Sequence, residues 1–209
     1  MAGWILVVEW LSRFVLLGLL ALSVWSVSII LERRKFLKGL NDKSNLKDIE
    51  VWIKQGNRNA LTNWSKTSKD IRQGAIATLL ERPSAQSMEL AYSYYIGQQR
   101  EILDRGLNIL GTLGSTTPFV GLFGTILGII VAFGALSTGQ IDSQKVMYSL
   151  AEALILTAVG LAVAIPSVVA FNYFNSELGK FEQNLNSIKD LVIAHFAHEQ
   201  SQTSSAEKR

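Results

Sequence analysis

Apolar and polar positions along this chain fall into long blocks. No charged residue occurs from Phe14 to Leu31, from Gly106 to Ile141, or from Ala153 to Ser176. A hydrocarbon core about 30 Å thick is crossed by a helix of about 18–20 residues. Each block reaches that length, so the pattern predicts three transmembrane helices. Between the first two blocks the pattern changes to a helical period. Ser44-Asn45 ahead of Leu46, Ile49, Trp52 and Ile53 reads as a capped amphipathic helix that stops near Gly56. A second helix is predicted over about 68–81, closed by Pro83. A third begins near Ser84 to Ser87, with Met88, Tyr92, Tyr95, Gln99 and Ile102 along one face. It need not stop at Arg105, so the second span could simply continue it. Beyond the third block, Leu178, Phe181, Leu185, Ile188 and Val192 alternate by three and four, an a/d seam suited to packing against other helices. The third span should therefore run on as one long helix to about His198, and the small polar end is expected to be disordered.

Charge then orients the spans. Only Arg13 precedes the first block and only Lys145 separates the second from the third, whereas 14 of the 20 Lys and Arg residues lie between Glu32 and Arg105. Basic residues collect on the cytoplasmic side. The expected organisation is a periplasmic N-terminus over 1–13, a first span over 14–31, and a cytoplasmic helical insert over 32–106. A second span over 107–136, a periplasmic loop over 137–151 and a third span over 152–174 follow. A cytoplasmic amphipathic helix over 175–198 and a disordered tail over 199–209 complete the chain. The first block lacks a basic leader and is followed by Arg33-Arg34-Lys35, which reads as an uncleaved anchor.

Composition removes several classes of function. There is no cysteine, hence no disulfide framework and no thiolate metal site. The net charge of +3 does not form a nucleic-acid patch, because the basic residues of the insert alternate with nine acids. His195 and His198 have no carboxylate cluster at metal-ligand spacing, and no P-loop or nucleophile motif occurs. No catalytic residue, cofactor or metal is expected.

The candidate chemistry lies in the second and third spans. Gly111, Gly114, Gly121, Gly124, Gly128 and Gly134 crowd the second, and Gly124-x-x-x-Gly128 followed by Ala132 forms a small-residue stripe. In lipid, small residues let helix backbones approach, a packing feature that by itself names no function. Thr117, Gly121 and Thr125 share a face. A single membrane threonine commonly does no more than bond its own i−4 carbonyl. Glu152 stands at the edge of the third block, where a carboxylate needs water, a partner or a proton; read blandly, it is an interfacial residue just outside the hydrocarbon. Glu152 and Thr157 lie about 140° apart on an ideal helix. They would meet at one spot only if neighbouring subunits contribute different faces or Pro166 distorts the helix.

The stretch Thr117-Pro118-Phe119-Val120-Gly121-Leu122-Phe123-Gly124-Thr125-Ile126-Leu127-Gly128-Ile129 resembles the second-span signature of the MotA/TolQ/ExbB family, in its ExbB/TolQ branch. Ala151-Glu152-Ala153-Leu154-Ile155-Leu156-Thr157-Ala158-Val159-Gly160-Leu161, with Ala164-Ile165-Pro166 downstream, resembles its third-span signature. The resemblance is close over 107–175 and elsewhere extends only to layout. It implies an all-α integral membrane protein of the bacterial inner membrane that assembles as a homo-oligomeric ring, a pentamer. The ring would surround a single-span ExbD/TolR-like partner with a transmembrane Asp, and a TonB/TolA-like protein would stand beyond it. By the same resemblance Thr125 and Thr157 are the pore hydroxyls and Glu152 the pore-proximal carboxylate. Pro118, Gly121, Gly124, Gly128 and Pro166 shape and pack the helices. The function implied is conversion of proton motive force into mechanical work on a cell-envelope partner, as in TonB-like import. TolQ-like envelope maintenance and a gliding motor are the alternatives within the family. A passive scaffold would account for the glycines and the seam but would not need Glu152, Thr125 and Thr157.

Overall fold

The computed structural model describes residues 3–40, 46–67, 70–137 and 143–206. Among them every element is an α-helix: α1 (Gly3–Leu40), α2 (Leu46–Lys54), α3 (Arg58–Thr67), α4 (Ile71–Leu80), α5 (Ala85–Asp104), α6 (Leu107–Ser137) and α7 (Ser143–Ala206). Three of these, α1, α6 and α7, contain stretches long and apolar enough to cross a membrane. The all-α expectation with three membrane-length helices therefore holds.

Several boundaries differ from those read off the sequence. Helix α1 already runs from Gly3, and α7 starts at Ser143, ahead of the charge-free windows. Charge marks where lipid can begin, not where backbone hydrogen bonding can. At the other end α7 continues to Ala206, past the expected stop near His198, because Ser, Gln, Thr and Ala there include no Pro or Gly to break it. An extra helix, α3, occupies a stretch left unassigned in the sequence. The junction at 105–106 is a true break and α6 does not continue α5. Gly106 takes φ +76°, a left-handed backbone that ends α5 and redirects the chain. The Ser44-Asn45 cap, the start of the 68–81 segment and residues 138–142 of the expected 137–151 loop lie outside the described residues, and the rest of that loop, from Ser143, is the first part of α7.

The chain divides into two compact units. The first comprises residues 1–34 and 106–175. On α1 its buried positions are Ser12, Leu19, Ser26 and Arg33 at intervals of seven, with Ile29 beside them. The α6 and α7 faces toward the interior carry Leu110, Leu113, Thr117, Leu127 and Ala132, and Ala153, Leu156, Val163, Ala164, Ser167, Ala170 and Phe174. Outward lie Trp10, Phe14, Phe119, Phe133, Ile165 and other large apolar side chains, the composition of a surface that faces lipid or another protein. Pro118 and Pro166 sit inside unbroken helices, each withdrawing one i→i−4 bond.

The second unit comprises residues 35–105 and 176–209. The seam residues Leu178, Phe181, Leu185, Ile188 and Val192 are all buried, with Phe196 continuing them. Side chains of the insert of the same chain reach this stretch of α7 at Phe181, Asn186, Lys189 and Phe196. The guanidinium of Arg72 lies 5.1 Å from the Phe181 ring and donates to the Leu40 carbonyl at the end of α1. Arg58 stands over Phe196 and donates to the Leu80 carbonyl at the end of α4. Each arginine thus satisfies a terminal carbonyl that a helix end leaves without an internal partner. Ser84 opens α5 with a reciprocal cap, its Oγ accepting from the Ser87 N–H at 3.3 Å while Ser87 Oγ accepts from the Ser84 N–H at 3.1 Å. Tyr92 donates to Asn186 Oδ1 at 3.0 Å, and Lys189 pairs with Glu89 at 3.3 Å and Asp190 at 3.2 Å. Burial, reinforced by the charges of Glu182 and Asp190, pushes the Tyr92 hydroxyl up to about 12. For Lys189, burial works to lower the pKa, but its bonds to Asp190 and Glu89 outweigh that and raise it.

Candidate functional site

Five of the α6 glycines, Gly111, Gly114, Gly121, Gly124 and Gly128, face α7 of their own chain, whereas Gly134 faces Trp4 and Ile5 of α1. A Cβ placed on Gly121 would stand 2.9 Å from the Leu156 carbonyl oxygen and 3.1 Å from the Thr157 Cα. One placed on Gly160 would stand 2.8 Å from the Thr117 carbonyl oxygen and 3.1 Å from the Gly121 Cα. The two backbones cross at these two glycines, each supplying the space the other needs. Above and below the crossing, Gly128 faces Ala153, Gly124 faces Leu156, Gly114 faces Val168 and Gly111 faces Phe171. The stripe that the sequence offered for packing in general is a seam within the subunit. Gly160 was not singled out beforehand, since a lone glycine in an apolar run carries no signal until its partner is known.

Thr157 adds a polar fastening at the crossing. Its hydroxyl donates across to the Gly121 carbonyl at 3.2 Å. In the α-helical pattern that carbonyl also accepts from the Thr125 N–H, one turn on. Thr157 therefore meets α6 on the turn that ends at Thr125. The Thr125 hydroxyl donates to its own Leu122 carbonyl at 2.6 Å and is partly exposed, as is Thr157. Thr117 is fully buried and donates to Leu113 O at 2.6 Å, so of the two α6 threonines on that face only Thr125 remains accessible.

Glu152 is partly buried and stands apart. Ala153 and Leu156, both buried against α6, lie between it and Thr157 around the helix, and the five-residue offset turns it about 140° away. No hydrogen bond or ion pair among the described residues joins Glu152 to either threonine. Within one subunit the structure brings Thr125 and Thr157 to one turn and leaves Glu152 on the opposite flank of the seam.

A second polar fastening was missed from sequence. Ser26 Oγ on α1 lies 2.8 Å from Ser167 Oγ on α7, and Ser167 donates to Val163 O at 2.7 Å, with both serines buried. The single proton of Ser167 is thus engaged and Ser26 is the donor between them. The seven-residue interval Ser12, Ser26 and Arg33 with Leu19 was the available sign.

Residues 63–187, more than half of the chain, match the MotA/TolQ/ExbB proton channel family. Among curated relatives, the Tol-Pal system protein TolQ of Pseudomonas aeruginosa is 48% identical over 82 residues, 39% of this chain and 36% of that protein. The biopolymer transport protein ExbB of Salmonella typhimurium is 40% identical over 92 residues, 44% of this chain and 38% of that one. TolQ of Haemophilus influenzae is 40% identical over 101 residues, 48% and 44% respectively. The matched stretches thus span less than half the length of these relatives. With membrane-length helices, the Gly121–Gly160 crossing and a family match over most of its length, this chain belongs to the MotA/TolQ/ExbB proton channel family.

Proposed function

We propose that the chain is the ion-channel and stator subunit of an ExbB–ExbD or TolQ–TolR type motor of the bacterial inner membrane, with its N-terminus periplasmic and its C-terminus cytoplasmic. Copies form a ring, a pentamer, around a single-span ExbD/TolR-like partner with a membrane Asp. Proton motive force drives work on a TonB-like protein of the cell envelope. The observation that carries this reading is the pairing of Thr125 and Thr157 at the Gly121 turn, on the two helices that hold the matched signatures. Hydroxyls can solvate an acid group or a passing ion without placing a fixed charge in a low-dielectric path. Glu152, on the other flank, would reach the path from a neighbouring copy. A proton arriving from outside neutralises the partner's Asp, the two shift, and release inside resets the charge. The drive is about 2.3 kcal/mol per charge per 100 mV, enough to bias packed states a few kcal/mol apart.

TolQ-like envelope maintenance is the second reading, supported by the identity to the P. aeruginosa TolQ over the matched stretch. Copurification with a single-span partner, then flux in liposomes under separate proton and sodium gradients, tests the shared core of both. Thr125→Val, Thr157→Val and Glu152→Gln should each leave assembled rings. The threonine variants should cut flux-driven work about tenfold, the effect of about 1.4 kcal/mol on a barrier. Normal work in all three variants would remove the pore assignment.

A further inference from the structure

The hydrogen-bond directions at the Gly121 turn restrict what the proposed pore can receive. A carbonyl oxygen only accepts, so the Thr157 proton belongs to Gly121 O and the Thr125 proton to Leu122 O. Both residues are partly exposed, and with their protons so engaged the hydroxyls have only lone pairs to offer an incoming group. A bare carboxylate there meets acceptor against acceptor. A protonated carboxylic acid instead donates its O–H into a waiting lone pair. Resting on the pore reading above, we infer that the site receives the partner's acid in its protonated form and holds that acid's pKa up.

Ionisation then has a structural consequence. To serve a carboxylate, Thr157 must withdraw its proton from Gly121 O, and so release the polar fastening where α6 and α7 pass closest. Loss of the partner's proton and loosening of the Gly121–Gly160 crossing are thereby coupled through one hydroxyl hydrogen. Thr157 acts as a positioning residue whose donor is shared between the fold and the acid.

Other charges near the site are few. Helix α6 carries no ionisable side chain from Leu107 to Ser137. On α7, Lys145, Tyr148 and Glu152 precede Thr157, and the next ionisable side chain after it is Tyr173. On α1, Glu9 and Arg13 pair with each other at 2.9 Å, while Glu32, Arg33 and Arg34 lie at its far end. Only Glu152 is close along α7, and its negative charge would also raise a neighbouring acid's pKa, so it must be controlled.

The test uses rings copurified with the co-expressed single-span partner, its membrane aspartate 13C-labelled at the carboxyl, in lipid nanodiscs. Infrared titration of the labelled C=O band gives the apparent pKa in wild type, Thr157→Val, Thr157→Ser and Thr125→Val, each also with Glu152→Gln. Loss of an accepting hydroxyl should lower the pKa by about one unit, a tenfold fall in proton affinity. Thr157→Ser should restore the wild-type value, and the effect should persist without the Glu152 charge. A rise in pKa on removing either hydroxyl would mean that the hydroxyls donate, overturning this inference while leaving the pore reading intact. An unchanged pKa in every threonine variant would overturn both. Should Thr157→Val fail to assemble, Thr125→Val decides the sign, because its hydroxyl bonds only its own helix.

Discussion

Adding one methyl group at the α6–α7 crossing should destabilise the subunit, although alanine is the better helix former. A Cβ at Gly121 would lie 2.9 Å from one backbone oxygen and 3.1 Å from one Cα, and a Cβ at Gly128 only 2.5 Å from the Ala153 Cβ. Carbons in contact sit about 3.5–4.0 Å apart, so α6 and α7 must separate by up to about 1 Å along the seam. Overpacking of this kind costs about 1–3 kcal/mol. Gly18 on α1 is the control, because a Cβ there meets nothing within 4 Å. Gly→Ala within a helix gains up to about 1 kcal/mol, and that gain is common to all the variants. Gly121→Ala, Gly128→Ala and Gly160→Ala should therefore each fall below Gly18→Ala by about 1–3 kcal/mol. Unfolding in mixed micelles with increasing dodecyl sulfate, followed by tryptophan fluorescence, measures the difference. Equal stability of Gly121→Ala and Gly18→Ala would refute the close crossing. Leucine at Gly124 or Gly128 should go further and abolish the folded chain, so loss of the proposed ring on native mass spectrometry would follow from loss of its parts.

Cysteine labelling tests the orientation in a chain with no native thiol: Ser143→Cys should react with an impermeant reagent outside spheroplasts, and Ser93→Cys should not, both positions being exposed. Arg72→Met should cost about 1–3 kcal/mol by leaving the Leu40 carbonyl without its donor, whereas Arg82→Met at an exposed position should not, as thermal unfolding would show. The raised pKa of Tyr92 contributes stability that is complete below its unfolded value of about 10 and is lost as pH rises through about 12. Tyr92→Phe should therefore narrow the fall in melting temperature between pH 10 and 12, and an equally steep fall in the variant would contradict the burial argument.

The class of this protein is legible in its pattern of charge and hydropathy. Three charge-free blocks, a basic insert and a three-four seam from Leu178 to Val192 require an all-α chain with membrane-length helices. The Thr125, Glu152 and Thr157 positions could be picked out because polar atoms in apolar runs are conspicuous. What those groups touch was not legible. In lipid, a face turned to hydrocarbon and a face turned to another helix can share one composition, since no water penalises either. That the glycine stripe meets α7 of its own chain, with Gly160 as the matching half, follows from the packed helices alone. Arg72 of the chain's own insert likewise stands over Phe181 of the seam, and Arg58 over Phe196 beyond it, pairings that periodicity cannot assign. Hydrogen-bond direction is the extreme case. The Thr157 hydroxyl would be expected to bond a carbonyl four residues back on its own helix, and it bonds Gly121, 36 residues away, because two glycines let the backbones come close enough.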